Sequence, residues 1–197
     1  MEFIYPKGAT PLDPDSARGL IPKLQTQAEL NAFEQMNIQT AYLWAQKSRK
    51  LKNDIVSVHG IKLLHKRMFD QTWTWAGEFR KHDTNIGSPW QQIPERLKAM
   101  SDDTEYWIEN KSYDFLEIAV RYHHRLVSIH PFPNGNGRLS RLVADLLLEY
   151  NKLGPFEWGA EVSLTNEGPN RNAYLSALRD ADSGSVEKLI LFAKGIK

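Results

Sequence analysis

The sequence predicts an all-α, mainly helical fold with one short β-hairpin flap. Two observations predict the helices. Apolar residues recur at helical spacing over most of the chain, and no stretch reads as strand, helix and strand in βαβ order. A third predicts the hairpin. TWTWAGEFRKHDTNIG, residues 72–87, loses the helical period and shows aromatics, glycine and near-alternation instead.

With 197 residues, 41% of them hydrophobic, the chain is long enough for one domain with a real core. Residues 1–25 are rich in proline, glycine and charge and read as an irregular arm, with a single helical domain over 26–197. Thr26 and Glu29 have capping-box spacing and open a helix over 27–47, followed by Leu30, Phe33, Ile38, Ala41 and Trp44. The basic stretch KSRKLK, 47–52, reads as a solvated break between helices. Asp54 is then placed as the cap of a helix to about 68, with Ile55, Val58, Ile61, Leu64 and Met68 on one stripe.

Beyond the flap, Ser88 and Pro89 start a helical region through Ile93, Leu97, Met100 and Trp107, with a break or kink at Ser101 and Asp102. SYDFLEIAVRYHHRLVSI, 112–129, reads as a central helix. LSRLVADLLLEYNKLG, 139–154, is the most apolar one, stopped by Asn151 and Gly154. Pro169 opens another helix, and SVEKLILFAKG forms a short last one.

Composition narrows the function classes. Lys and Arg number 25 against 24 Asp and Glu, so charge makes no general case for nucleic acid. Without cysteine there is no thiol nucleophile or cysteine zinc site. The histidines at 59, 65, 123 and 124 form no HExxH or carboxylate–histidine cluster. Trp73, Trp75 and Phe79 are expected to pin the flap to the core. The start of the sequence has no apolar run behind basic residues, and no segment reaches the roughly 20 apolar residues of a membrane span. The expected location is cytoplasmic.

HPFPNGNGRLSR, 130–141, concentrates the chemistry. Pro131 and Pro133 end the preceding helix. Gly135 and Gly137 let a ligand approach the backbone where a turn feeds a helix N-terminus, an arrangement that binds anions. Asn136 can add an amide donor. Arg138 and Arg141, three residues apart at the positive end of a helix, make electrostatic sense if they meet a polyphosphate. His130 can take a hydroxyl proton during phosphoryl or nucleotidyl transfer, and Phe132 would fix the loop against the core. A plain helix–helix connector, with His130 as a C-cap, is the alternative reading.

HPFPNGNGRLSR resembles the signature of the Fic (filamentation induced by cAMP) family, His-Pro-Phe-x-acid-Gly-Asn-Gly-Arg-x-x-Arg. WAGEFR, 75–80, resembles the start of that family's flap and RNAYLSAL, 171–178, its closing helix. PLDPDSARGLIP and the segment from Glu29 to Asn37 are similar to the subgroup called mobile mystery protein B. The resemblance implies a Fic-type helical fold that transfers AMP from ATP to a Ser, Thr or Tyr hydroxyl of a target protein, with release of pyrophosphate. It implies His130 as general base and Gly135, Asn136 and Gly137 as the anion hole. Arg138 would bind the β-phosphate, Arg141 the γ-phosphate, and Phe132 would hold the loop. Thr84, Asn85, Ile86 and Gly87 would clamp the target peptide by strand addition.

The sequence departs from the pattern at Asn134, where the family has an acid that binds Mg2+. An amide oxygen is a neutral ligand, so weakened binding of Mg2+ or Mn2+ is expected. A different phosphate-containing donor, or a nucleotide-binding module with little turnover, is the alternative. A family branch that transfers the γ-phosphate has Lys where this sequence has Gly137 and Arg138, which favours adenylyl transfer. SLTNEG, 163–168, matches the spacing of an inhibitory motif but stands in a polar loop, so no internal inhibitor is inferred. A separate helix-turn-helix companion, as in a toxin–antitoxin pair, is the regulatory partner that the subgroup implies.

Overall fold

The computed structural model describes residues 11–159 and 168–196. Its first helix, α1 (Pro14–Ala17), lies within the N-terminal arm, where the carboxylate of Asp13 accepts from the Asp15 and Ser16 N–H groups. The arm is tied down by Ile21 N–H on the Thr72 carbonyl and Thr74 N–H on the Gly19 carbonyl, each at 2.9 Å.

Three local caps set the next helices. The box at Thr26 and Glu29 forms with both of its hydrogen bonds and starts α2 (Gln27–Lys47). Ser48 caps α3 (Arg49–Asp54) through Leu51 N–H, and Ser57 caps α4 (Val58–Phe69) through Gly60 N–H. The basic stretch expected as a turn is therefore helical. Leu51 is fully buried there, and that burial holds the turn onto the core. Asp54 ends α3 instead of capping α4.

A short 3-10 turn, Trp90–Gln92, leads into α5 (Ile93–Glu109). α5 runs unbroken through Ser101 and Asp102, against the expected kink. Buried Ser101 donates to the Val56 carbonyl at 2.8 Å, and Thr104 donates back to the Met100 carbonyl, so these polar residues are satisfied without ending the helix. α6 (Phe115–Ile129) and α7 (Asn136–Tyr150) form the central antiparallel pair. α2 packs on α4 and α5 on α6, and together these helices enclose the larger core. α8 (Pro169–Asp182) and α9 (Glu187–Ala193) pack on each other and close a second cluster around Ala119, Val120, Ala144 and Leu148. No helix among the described residues is long and apolar enough to cross a membrane.

The expected β-hairpin is absent: the described residues contain no strand, only an isolated bridge between Leu20 and Trp73. Several backbone donors of the 72–88 segment go to groups outside it. Gly77 N–H donates to His65 Nδ1, Arg80 N–H to the Pro131 carbonyl and Ser88 N–H to the Ile129 carbonyl. Arg80 also turns its guanidinium inward and takes the His82 and Ser88 carbonyls. A lone two-stranded ribbon is marginal in water, whereas these bonds are fixed to the core. The segment is thus a strap across the α6–α7 loop.

Candidate active site

α6 ends at His130, which takes the left-handed conformation (φ 54°, ψ 58°) and turns the backbone into the loop. A non-glycine residue in that conformation costs about 1 kcal/mol. Phe132 offsets it: its fully buried ring stacks on His65, centroids 3.7 Å apart and planes within 10°. The amide of Asn136 closes the loop from the other end, accepting from Phe132 N–H at 2.9 Å and donating to the Phe132 carbonyl at 2.8 Å. It is thus turned to the loop's own backbone.

His130 is 7% exposed. Its Nδ1 lies 3.1 Å from the Val127 carbonyl, which can only accept, so Nδ1 carries the proton and Nε2 the lone pair. Burial lowers its pKa to about 4, with the Arg80 charge acting the same way and the Val127 bond against them. At neutral pH the imidazole is an uncharged base.

Two residues outside the loop hold this geometry. Arg80, fully buried at its guanidinium end, donates from Nε to the His130 carbonyl at 2.7 Å and from Nη2 toward the Ile129 carbonyl at 3.4 Å. His65, on α4, accepts from Gly77 N–H at Nδ1 (2.9 Å) and meets the Asn134 carbonyl at Nε2 (3.1 Å). Those partners fix the Nε2–H tautomer, and burial drives its pKa to about 3. His65 thus links strap to loop.

Gly135 starts α7 with φ +81°, and a Cβ there would lie 2.5 Å from the Phe69 ring. Both facts require glycine. Gly137 differs, since a Cβ would meet only Arg141 Nη1, at an ordinary 3.6 Å. The first-turn N–H groups of Asn136, Gly137 and Arg138 have no intrahelical acceptors by helix geometry. Arg138 pairs with Glu34 of α2 at 2.7 Å and lies 5.0 Å over the Phe69 ring. Glu34, 3% exposed, also accepts from Trp73 Nε1 at 2.7 Å. Arg141 lies 5.6 Å over the Tyr174 ring, beside α8.

Asn134 is half-buried, and its Oδ1 accepts from Gly135 N–H at 2.5 Å. The strap reaches the same place: a Cβ on Gly87 (φ +108°) would lie 2.7 Å from His130 Cβ. Thr84 Oγ1 donates to the Ile86 carbonyl at 2.6 Å, and Ile86 is 40% exposed. The structure therefore gathers His130, Phe132, Asn134 to Arg138 and Gly87 around the mouth of α7, with Arg141 one turn further on and Thr84 to Ile86 in the strap just before Gly87. Residues 163–167 of SLTNEG lie outside the described residues.

Sequence reasoning missed Arg80, His65 and Glu34 as parts of this site. A signal existed for two of them. Glu34 falls on the stripe with Leu30, Ala41 and Ala45, and His65 on that with Ile61, Leu64, Met68 and Phe69. A charged or polar residue on an apolar stripe needs a buried partner.

The sequence and the fold are similar to those of known proteins. The model of the Fic/DOC family matches residues 55–148. A protein adenylyltransferase Fic from Aedes aegypti is 30% identical over 146 residues, 72% of this chain and 28% of the relative. A probable protein adenylyltransferase from Aquifex aeolicus is 26% identical over 163 residues, 79% of this chain and 46% of the relative. The protein thus spans less than half the length of these relatives. In fold it is similar to Fic-1 from C. elegans (TM-score 0.65, 23% identity, 90% of this chain and 51% of that one). It is similar also to the BepC protein of Bartonella tribocorum with bound AMPPNP (TM-score 0.64, 17% identity, 93% and 98%).

Proposed function

We propose that this protein, which belongs to the Fic/DOC family, is a protein adenylyltransferase that moves AMP from ATP to a hydroxyl group of a target protein. The observation that carries the reading is the His130 tautomer: a neutral imidazole, its Nδ1 proton held by Val127, at the mouth of the α7 anion nest. Nε2 takes the proton of the Ser, Thr or Tyr hydroxyl as that oxygen attacks the α-phosphorus. The new O–P bond replaces the bond to the bridging oxygen, and pyrophosphate leaves. N–H groups of the α7 first turn stabilise the charge on the transferred phosphoryl oxygens. Arg138 and Arg141 bind the departing phosphates, and Arg138 must exchange Glu34 for phosphate to do so. Residues 84–87 hold the target peptide in this reading, without any strand, and the closeness of Gly87 to His130 supports it.

The family pattern implies Mg2+, and the residues present do not fit a protein-made Mg2+ site. Position 134 offers a neutral oxygen that already accepts from Gly135, and no group of three His, Cys, Asp or Glu converges among the described residues. The residues' own chemistry supplies the base, the nest and the arginines. The subgroup suggested by PLDPDSARGLIP, with its helix-turn-helix companion, remains part of this proposal. Incubation with ATP labelled in the α-phosphate and candidate targets tests the reaction. Label on protein that His130→Ala abolishes supports it, and equal labelling by both proteins refutes it.

A further inference from the structure

Asn-Gly occurs twice in the loop, at 134–135 and 136–137. In such a pair the glycine N–H has no neighbouring Cβ to shield it, so the backbone nitrogen can attack the asparagine amide. The two pairs meet different surroundings. Asn136 is 1% exposed, and both of its amide atoms are bound to Phe132. Asn134 is half-buried, and its Oδ1 lies 2.5 Å from Gly135 N. Because a C=O bond is about 1.23 Å, Asn134 Cγ is at most about 3.7 Å from that nitrogen, close to the separation of reacting atoms in a near-attack geometry.

Three further features favour attack at this peptide bond. His65 Nε2–H bonds the Asn134 carbonyl at 3.1 Å and so draws charge from the Gly135 nitrogen, making its N–H more acidic. That nitrogen stands at the positive end of α7, which stabilises charge developing on it. Position 135 admits no substituent that could shield it, since φ is +81° and Phe69 fills the space.

We propose that Asn134 is a self-modification site, deamidating in the folded protein to a carboxylate. The Gly135 N–H gives its proton to water and the nitrogen bonds to Asn134 Cγ. The Cγ–Nδ2 bond breaks as Nδ2 takes a proton from water, so that nitrogen leaves as ammonia and a succinimide is produced. Water then opens the ring. Cleavage between the ring nitrogen and Cγ gives aspartate, and cleavage between that nitrogen and the backbone carbonyl carbon gives isoaspartate. Nothing is oxidised or reduced. Either product supplies, at the mouth of α7, the hard anionic oxygen that position 134 otherwise lacks for a divalent cation. Only this consequence rests on the adenylyltransferase reading.

The test is peptide mapping by mass spectrometry after the native protein is held at mildly alkaline pH in 18O-water, which marks each new carboxylate with solvent oxygen. Exposing the Asn136 amide requires breaking two hydrogen bonds, so Asn134 should convert about thirty-fold faster than Asn136 in the native protein. In urea the two sites should convert at similar rates. Native Asn134 converting no faster than Asn136, or staying intact while the urea-treated protein converts, overturns the proposal. Aged protein is then compared with fresh protein for the Mg2+ dependence of AMP labelling. Conversion without change in labelling leaves the modification standing and counts against the nucleotide role of position 134. An intact Asn134 in a protein that still labels its target does the reverse.

Discussion

Replacing Arg80 separates the strap's mechanical role from its electrostatic one. Arg80→Met removes the donors to the His130, His82 and Ser88 carbonyls. The Ile129 carbonyl keeps Ser88 N–H, and water can reach the half-buried His82 and Ser88 carbonyls. That removes one buried bond, to the His130 carbonyl, at about 1–3 kcal/mol, and two charge-assisted bonds at about 1.5 kcal/mol each. Relief from burying the guanidinium offsets part of this, so a net loss of about 2–4 kcal/mol is expected. For a protein of this size that lowers Tm by roughly 5–15 °C. The electrostatic consequence is independent of that loss. Without the Arg80 charge the His130 pKa rises from about 4, yet stays below its ordinary 6.5 because burial is the larger cause. Arg80→Lys keeps the charge and loses the fork, so it should destabilise the fold while leaving His130 depressed. NMR titration of 13C-labelled histidine reads the pKa and calorimetry reads Tm. Unchanged melting of Arg80→Met, or identical His130 titrations in the two variants, would refute the reasoning.

Gly137→Ala should stabilise the fold by about 0.5–1 kcal/mol, because the methyl meets no clash and alanine favours the helix. AMP labelling should nevertheless fall, since the methyl stands over the anion nest; stability and labelling moving together would contradict this. Gly135→Ala should cost about 2–4 kcal/mol, from the left-handed backbone and the contact with Phe69, as denaturant unfolding would read. Glu34→Gln releases Arg138 and should lower the ATP concentration needed for labelling, at a cost of about 1–3 kcal/mol of stability; an unchanged ATP requirement removes Glu34 as a competitor. Acid should destabilise the protein. His65, His123 and His130 have folded pKa values lowered to about 3, 3 and 4, so below pH 6.5 the unfolded state binds protons that the folded one does not. Asp145, raised to about 7 by burial, binds its proton in the folded state and opposes one of the three. Stability therefore falls by about 3 kcal/mol per pH unit between roughly pH 6 and 5, a net of about two protons; denaturant titrations at the two pH values measure it.

The helices were legible where side groups cap or stripe them. Thr26 and Glu29 mark the start of α2, and the apolar residues of α6 and α7 mark the central pair. The loop was legible because histidine, glycine and arginine at those spacings have few other uses together. The strap was not. Near-alternation in 72–87 resembles a strand, but what decides its form is where Arg80 sends its guanidinium N–H groups, and the acceptors on α6 lie some 50 residues away in sequence. The Glu34–Arg138 pair joins residues 104 apart, a contact that no local pattern encodes. Leu51 shows the same in miniature: a basic hexapeptide looks solvated until one leucine finds the core.

The central claim is that His130, with its Nδ1 proton held by Val127, serves a nucleotidyl transfer at the α7 mouth. Intact mass of the protein and its target after incubation with ATP tests it most directly. The account predicts a gain of one AMP moiety, lost in His130→Ala while the variant keeps its fold. A gain of a phosphoryl group alone, or an AMP gain that survives His130→Ala, would contradict it.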